Sequence, residues 1–371
     1  MKFLHLGDLH IGKRVNEFPM IEDQRVILKQ ILDIALVENV SAVIIAGDIY
    51  DKSVPSTEAI ALFENFIEQL VNAKIKAFVV SGNHDSAERL SAFSNLISNS
   101  GIYIAKSYNG KLLPIECGED INIWLLPFIR PADVRRFHPD VEIGSYNDTV
   151  QKVLDNIELD KTKTNILVAH QFVIANGKAP ETSDSEVCSL GTLDSVDYSL
   201  FNDFDYVALG HIHKPQSMGR KEVRYCGSPL KYSFSEVNHK KSVSIVELNN
   251  KNVNIETVEL KPLHNMKEVR GDIISLLKMD KDDSYMHITL TDRNVIDAKS
   301  KLENIFPNIM QLDFEESDAC AFSSKNLKEI KEKSLVEHFS EFFEKQTTNK
   351  LNEQEAEVIL DLLKNSAEAN G

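Results

Sequence analysis

The sequence predicts an α/β fold over residues 1–262, a small α+β capping domain over 263–325, and a linker with C-terminal amphipathic helices over 326–371. Three observations carry this reading. Five short runs rich in Val and Ile each break into a loop at an acid, amide or imidazole side chain. Helical patterns separate the early runs. After Lys261 and Pro262 those polar motifs stop and a strand–helix–strand pattern takes over.

The runs are residues 3–7 (FLHLG), 41–47 (SAVIIAG), 77–82 (AFVVSG), 166–170 (ILVAH) and 206–210 (YVALG). Apolar stretches this short, bounded by Gly, Asp or Asn, read as strands buried on both faces. Between the first two, residues 20–40 place Ile21, Val26, Ile27, Ile31, Ile34 and Ala35 near the helix period; residues 57–73 do the same with Ile60, Ala61, Phe63, Ile67, Leu70 and Val71. Strand alternating with helix implies parallel strands whose carboxyl ends share an edge, and ligand crevices form outside that edge. Farther on, residues 285–291 (YMHITLT) alternate as a strand, 295–305 read as a helix and 309–314 as a strand. Residues 325–333 read as a charged linker. Leu335, Phe339, Phe342 and Phe343 then fall on one helical face, and Asn352 with Glu355 forms a capping pattern ahead of Val358, Ile359, Leu362 and Leu363. Helices this short are marginal alone, so they are expected to dock, either on the chain's own capping domain or on a partner.

The loops that follow the five runs hold Asp8-Leu9-His10, Gly47-Asp48-Ile49-Tyr50-Asp51, Gly82-Asn83-His84-Asp85, Ala169-His170 and Gly210-His211-Ile212-His213. One Asp-x-His triplet is an ordinary solvated turn. Five such motifs in order, all at strand ends and none with cysteine, point to a metal site. Phosphodiesters resist hydrolysis because nucleophile and leaving group are poor and the phosphoryl oxygens repel anions, and two divalent cations about 3.5 to 4 Å apart answer both problems. Holding two cations so close calls for a shared anionic ligand, for which Asp48, behind a glycine and an apolar run, is the candidate. The other donors mix nitrogen and oxygen without thiolate, a set suited to Mn, Fe or Zn.

These motifs are similar to those of the calcineurin-like metallophosphoesterases, whose fold is a mixed β-sandwich flanked by helices. Three further stretches, residues 225–236 (YCGSPLKYSFSE), residues 183–186 (SDSE) and Gln171-Phe172, resemble the nuclease subunits of bacterial SbcCD complexes in particular. The resemblance implies that Asp8, His10, Asp48 and His213 hold one metal and that Asp48, Asn83, His170 and His211 hold the other. It implies that His84 faces the substrate as general acid, with Asp51 orienting it through a carboxylate–imidazole hydrogen bond, a part that Asp85 could also play. It further implies Mn²⁺, cleavage of DNA ends and of single-stranded or hairpin DNA, a homodimer, and a coiled-coil ATPase partner, SbcC, that would dock on Leu335, Phe339, Phe342, Phe343, Val358, Ile359, Leu362 and Leu363. A phosphomonoesterase or cyclic-nucleotide phosphodiesterase on the same core is the alternative, and His5, inside the first run, reads as a core residue.

At 371 residues more than one folding unit is expected. Cys117, Cys188, Cys226 and Cys320 show no Cys-x-x-Cys spacing, which fits a reducing compartment. With no run long enough to cross a membrane and no room for a signal peptide ahead of the first strand, a cytoplasmic location is expected. The net charge of −16 runs against phosphate binding, but its distribution is uneven. Residues 301–371 carry 8 basic against 15 acidic side chains, whereas residues 220–241 carry 6 basic against 2 acidic. Arg220, Lys221, Arg224 and Lys231 in that stretch, with Arg130, Arg135 and Arg136 upstream, are the candidate DNA contacts. Among such charges an affinity for DNA that needs supplementing by a partner is expected. No Gly-rich nucleotide loop is present, so ATP would have to bind elsewhere.

Overall fold

The computed structural model describes residues 1–186, 194–249, 251–292 and 295–315. Each of the five apolar runs forms a strand, because every residue in them finds apolar cover on its own side of a sheet. Lys2–Leu6, Ala42–Ala46, Lys76–Val80 and Ile102–Ile104 pair in parallel, and Ser242–Asn249 and Asn252–Glu259 extend that sheet antiparallel beyond Lys2–Leu6. Thr164–His170 and Tyr206–Gly210 belong to a second six-stranded sheet. There they run parallel with Ile121–Leu125 and Arg220–Tyr225, and the short strands Pro114–Glu116 and Gln216–Met218 close its edges antiparallel. The edge on which the motifs converge is therefore shared by two sheets and is not the rim of one.

The sheets pack face to face. Phe3, Ile44 and Phe78 from the first meet Ile123, Ile166, Val168 and Tyr206 from the second, all fully or nearly fully buried. Because side chains alternate along a strand, Leu4, Val43, Ile45 and Val79 point the other way, onto helices Ile21–Val37 and Thr57–Asn72. Leu167, Val207 and Leu209 likewise meet Val150 and Val153 of helix Tyr146–Leu154. Cover on both sides explains why the runs lack polar alternation. Val26 and Ile60, counted on the apolar helix faces, are exposed. His5 lies between the sheets, with Nδ1 2.9 Å from the Tyr206 hydroxyl and Nε2 3.2 Å from the Leu209 carbonyl oxygen, as a core residue should.

Beyond residue 262 a third sheet of three parallel strands, Met266–Gly271, Tyr285–Leu290 and Ile309–Phe314, carries its own core of Leu276, Met286, Ile288, Leu290, Leu302 and Phe306. Its first strand escapes the sequence pattern because Lys267, Glu268 and Arg270 leave it without an apolar run. The helix read over 295–305 is confined to Ala298–Leu302. Asp23, buried in the first turn of helix Ile21–Val37, ties this sheet down: it accepts from the His264 backbone N–H at 2.8 Å and from the Tyr285 hydroxyl at 2.7 Å. The linker over 325–333 and the predicted docking residues Leu335, Phe339, Phe342, Phe343, Val358, Ile359, Leu362 and Leu363 lie outside the described residues.

Candidate metal centre

All seven predicted ligands meet where the two sheets end together. Asp8 and His10 follow Lys2–Leu6, Asp48 follows Ala42–Ala46, and Asn83 and His84 follow Lys76–Val80. From the second sheet, His170 ends its strand, and His211 and His213 follow Tyr206–Gly210. The first two loops continue to pair past their strands: Asp8 N–H donates to the Gly47 carbonyl at 3.0 Å, His10 N–H to that of Asp48 at 2.9 Å and Ile11 N–H to that of Ile49 at 2.8 Å. In these loops the backbone turns left-handed at Asp8 (φ 53°), His10 (φ 45°) and Asp48 (φ 49°), and it does so again at His211 (φ 105°). Such conformations cost of order 1–3 kcal/mol each and persist where surrounding structure holds them, as at ligand clamps.

Two features of the geometry call for cations. His170 Nδ1 lies 2.8 Å from the Ala46 carbonyl, to which it donates, so its Nε2 is turned toward two acceptors, Asn83 Oδ1 at 3.0 Å and Asp48 Oδ2 at 3.4 Å. Asn83 Oδ1 also stands 3.1 Å from His211 Nδ1. On the other side His10 Nε2 and His213 Nε2 face each other at 3.2 Å, and Asp8 Oδ2 is buried with no hydrogen-bond partner. Asp8, His10 and His213 each offer an atom within 4.8 Å of the others, as do Asp8, Asp48 and His170. No helix among the described residues is long and apolar enough to cross a membrane.

The charges agree. Burial pushes the Asp8 carboxyl up to about 6, a cost that an adjacent cation removes. Burial also lowers His10 well below the ordinary imidazole value and His211 to about 3, which keeps both rings neutral and their lone pairs free. Burial works against ionised Asp48, but His170, His10 and His84 outweigh it and hold the carboxylate well below its usual range. For His170 burial is offset by Asp48 and Asp8, which raise the imidazole to about 9, so a proton stands where a cation fits. The donor set thus suits divalent metal ions.

His84 reaches the same space, offering an atom within 4.8 Å of His10 and Asp48. Its Nδ1 lies 2.9 Å from the main-chain carbonyl oxygen of Asp51 and does not pair with the Asp51 carboxylate, the partner that the resemblance implied. The Asp51 carboxylate instead takes Lys13 Nζ at 2.8 Å, a cation close enough to compete for it. Asp85 does not orient His84 either. Its two oxygens accept from the backbone N–H groups of Ile49 (3.1 Å), Tyr50 (2.9 Å) and Gly82 (2.9 Å), binding the second and third ligand loops to each other. Gln24 carried no expectation at all, yet its amide donates to the His10 carbonyl at 2.7 Å and accepts from Gly12 N–H at 2.9 Å. The signal was a Gln on the buried face of an amphipathic helix.

The basic residues divide. Arg130 and Arg136 line a cleft of about 210 Å³ beside Asn83, each guanidinium lying over a ring, Phe128 at 5.8 Å and Phe137 at 5.1 Å, with Arg135 exposed nearby. Arg220, Lys221, Arg224 and Lys231 are engaged elsewhere. Arg220 Nη2 donates to the carbonyls of Phe201 and Phe204, Lys221 Nζ to that of Val253 at 3.3 Å, Arg224 Nε to Ser244 Oγ at 3.1 Å, and Lys231 Nζ to Asn265 Oδ1 at 2.9 Å. After His213 the chain runs down Gln216–Met218 and back up Arg220–Tyr225, so Arg220 and Lys221 sit at the end of the sheet away from the ligands. Nearness in sequence misled because one short hairpin separates the two places.

A family model described as calcineurin-like phosphoesterase matches residues 1–215, and one described as Type 5 capsule protein repressor C-terminal domain matches residues 262–347. The chain is 36% identical over 376 residues to the SbcD subunit of the SbcCD nuclease of Staphylococcus epidermidis, covering 98% of each. It is 31% identical over 350 residues to the corresponding subunit of Staphylococcus saprophyticus, covering 91% of this chain and 92% of the relative. Among solved structures, a dimetal phosphatase from Danio rerio aligns with 71% of this chain and 98% of its own at 11% identity and a TM-score of 0.43.

Proposed function

We propose a two-metal reaction on DNA for this centre, because the chain belongs to the calcineurin-like phosphoesterases and, within them, to the SbcD subunits of SbcCD nucleases. It is a nuclease subunit that hydrolyses phosphodiester bonds. Asp8, His10, Asp48 and His213 would hold one Mn²⁺ and Asp48, Asn83, His170 and His211 the other. Cations held there supply neutralisation of the phosphoryl oxygens and a lowered pKa for water. The observation that carries the reading is the crowding of donor atoms with nothing between them: His10 Nε2 against His213 Nε2 at 3.2 Å beside Asp8 Oδ2, which is buried without a hydrogen-bond partner, and His170 Nε2 against Asn83 and Asp48.

His84 is the general acid in this reading. With Nδ1–H donating to the Asp51 carbonyl, Nε2 is the atom that exchanges a proton with the leaving oxygen, a task suited to an imidazole near neutral pH. Arg130 and Arg136, with Arg135 beside them, take the phosphates that flank the scissile bond, supported by their place at the cleft beside Asn83. Substrates are duplex ends, attacked as an exonuclease, and single-stranded or hairpin DNA, attacked as an endonuclease. An SbcC-type coiled-coil ATPase docks on the C-terminal helices and supplements DNA affinity. A homodimer working in the cytoplasm completes the reading.

The test is cleavage of an end-labelled linear duplex by the purified chain with Mn²⁺, with and without SbcC and ATP, beside the His84→Ala variant. Loss of label with Mn²⁺ is expected for the wild type. His84→Ala should keep its metal and lose about 10²- to 10⁴-fold in rate. Metal loss in parallel with rate would make His84 a ligand and refute the general-acid role. Hydrolysis of small phosphate esters with DNA untouched would move the assignment to a phosphomonoesterase or cyclic-nucleotide phosphodiesterase.

A further inference from the structure

Two stretches singled out in the sequence, residues 183–186 and 225–236, have no part in the metal-centred reaction, yet both end on His213. Ser185 Oγ lies 2.7 Å from His213 Nδ1 and also touches Glu236 Oε1. Glu236 is wholly buried, and its other oxygen takes Lys241 Nζ at 2.5 Å. Lys241, itself 4% exposed, donates in addition to Ser228 Oγ at 2.8 Å and to the carbonyl of His213 at 3.0 Å. The His213 backbone N–H goes to Glu186 Oε1. Ring, N–H and carbonyl of one ligand are thus all held from outside the site.

The polarity of these hydrogen bonds has one consistent direction. An ionised Glu236 only accepts, so Ser185 must donate to it, and the hydroxyl oxygen is then free to accept from His213 Nδ1–H. That places the proton on Nδ1 and leaves Nε2 bare, 3.2 Å from His10 Nε2 and in reach of Asp8. We propose that Ser185 and Glu236 are positioning residues that fix the tautomer and angle of His213, and so act on the affinity of the Asp8–His10–His213 cation far more than on that of its neighbour. The selectivity follows from the other half of the centre. His170 is oriented by the Ala46 carbonyl, and His211 donates its backbone N–H to Asp8 Oδ1 at 2.8 Å; no described contact joins either to Ser185 or Glu236. Partners of this kind on a ligating His typically change metal affinity about 10- to 100-fold when removed.

The inference rests on the two-metal reading, and the test separates the two. Ser185→Ala is the clean variant, because Glu236 Oε1 keeps Ser183 Oγ at 3.2 Å and Ser233 Oγ at 3.3 Å and the buried carboxylate is not stranded. Mn²⁺ titration by calorimetry, paired with electron paramagnetic resonance of the loaded full-length chain, is the measurement. In the wild type two sites and a spin-coupled pair signal are expected. In Ser185→Ala one site should weaken about 10- to 100-fold while the other keeps its affinity, and at two equivalents of Mn²⁺ the isolated six-line spectrum should replace the coupled one. Ser185→Thr, which keeps the hydroxyl, should restore the pair. Two unchanged sites, or equal weakening of both, would overturn the inference and leave the two-metal reading standing. A wild-type chain that binds no Mn²⁺ overturns both.

Discussion

The two sheets meet at the centre with different chemistry. The first supplies Asp8, His10, Asp48, Asn83 and His84, which include every carboxylate and the amide, on loops that turn left-handed at Asp8, His10 and Asp48 and are laced to one another by backbone hydrogen bonds. The second supplies only imidazoles, and two of these take their orientation from the first sheet: His170 from the Ala46 carbonyl, His211 from Asp8. The carboxylates come from one side and nitrogen donors alone from the other. Neither sheet alone makes a site, so forming the sandwich and forming the centre are one event.

That asymmetry can be broken in graded steps. Asp48→Ala removes the carboxylate that both cations would share in the proposed reaction. Cations held there are worth several kcal/mol of charge stabilisation, so a fall in DNA cleavage of about a thousandfold or more is expected, with loss of the coupled Mn²⁺ pair. Retained cleavage in an end-label assay would refute Asp48 as the bridge. His170→Ala takes only a second-sheet imidazole and should leave one Mn²⁺ bound, so metal analysis that finds none would erase the distinction between the sheets. Gly210→Ala attacks the contact itself. A Cβ there would stand 1.9 Å from the Ala46 carbonyl oxygen, so the sheets must part at their ligand ends. Thermal unfolding should report a loss of about 1–3 kcal/mol, and His170 should lose its orienting carbonyl and with it metal affinity. An unchanged melting temperature would mean that the sheets slide apart freely.

The smallest effects should separate the two basic clusters. Arg130→Ala is expected to lower the salt dependence of DNA binding by about one unit of slope, as loss of one phosphate contact does. Arg220→Ala should leave that slope alone and lower stability instead, since its guanidinium satisfies the Phe201 and Phe204 carbonyls. The reverse result in a salt titration would restore Arg220 as a DNA contact.

Much of this was legible in the chain. The five strands and both long helices follow from apolar runs and helix-period patterns, and the polar motifs end the strands because a strand buried on both faces has no other place to put a charged side chain. The seven candidate ligands among them came from the resemblance of those motifs to the calcineurin-like phosphoesterases, and the structure brings these seven side chains together. Less legible were the strands that carry charge, Arg220–Tyr225 and Met266–Gly271, whose alternating Lys, Arg and Glu resemble solvated surface. The same resemblance made Arg220 and Lys221 look like DNA contacts. The role of Asp85 was hidden because the three N–H groups it binds belong to two loops that only the packed sheets bring together.

By itself the sequence determined the strands and that the polar motifs would gather at their ends, since period and composition are local properties; the choice of candidate ligands within those motifs came from the family resemblance. The tertiary structure decided the rest: that the strands divide between two sheets, that the Asp51 carbonyl and not its carboxylate orients His84, and that Ser185, Glu236 and Lys241 stand behind His213. The physical reason is that a hydrogen bond is settled by direction and competition among groups far apart in the chain. Lys13 pairs with the Asp51 carboxylate while His84 meets the Asp51 carbonyl, and Ser185 and Glu236 meet at His213, neither of which spacing along a sequence can record.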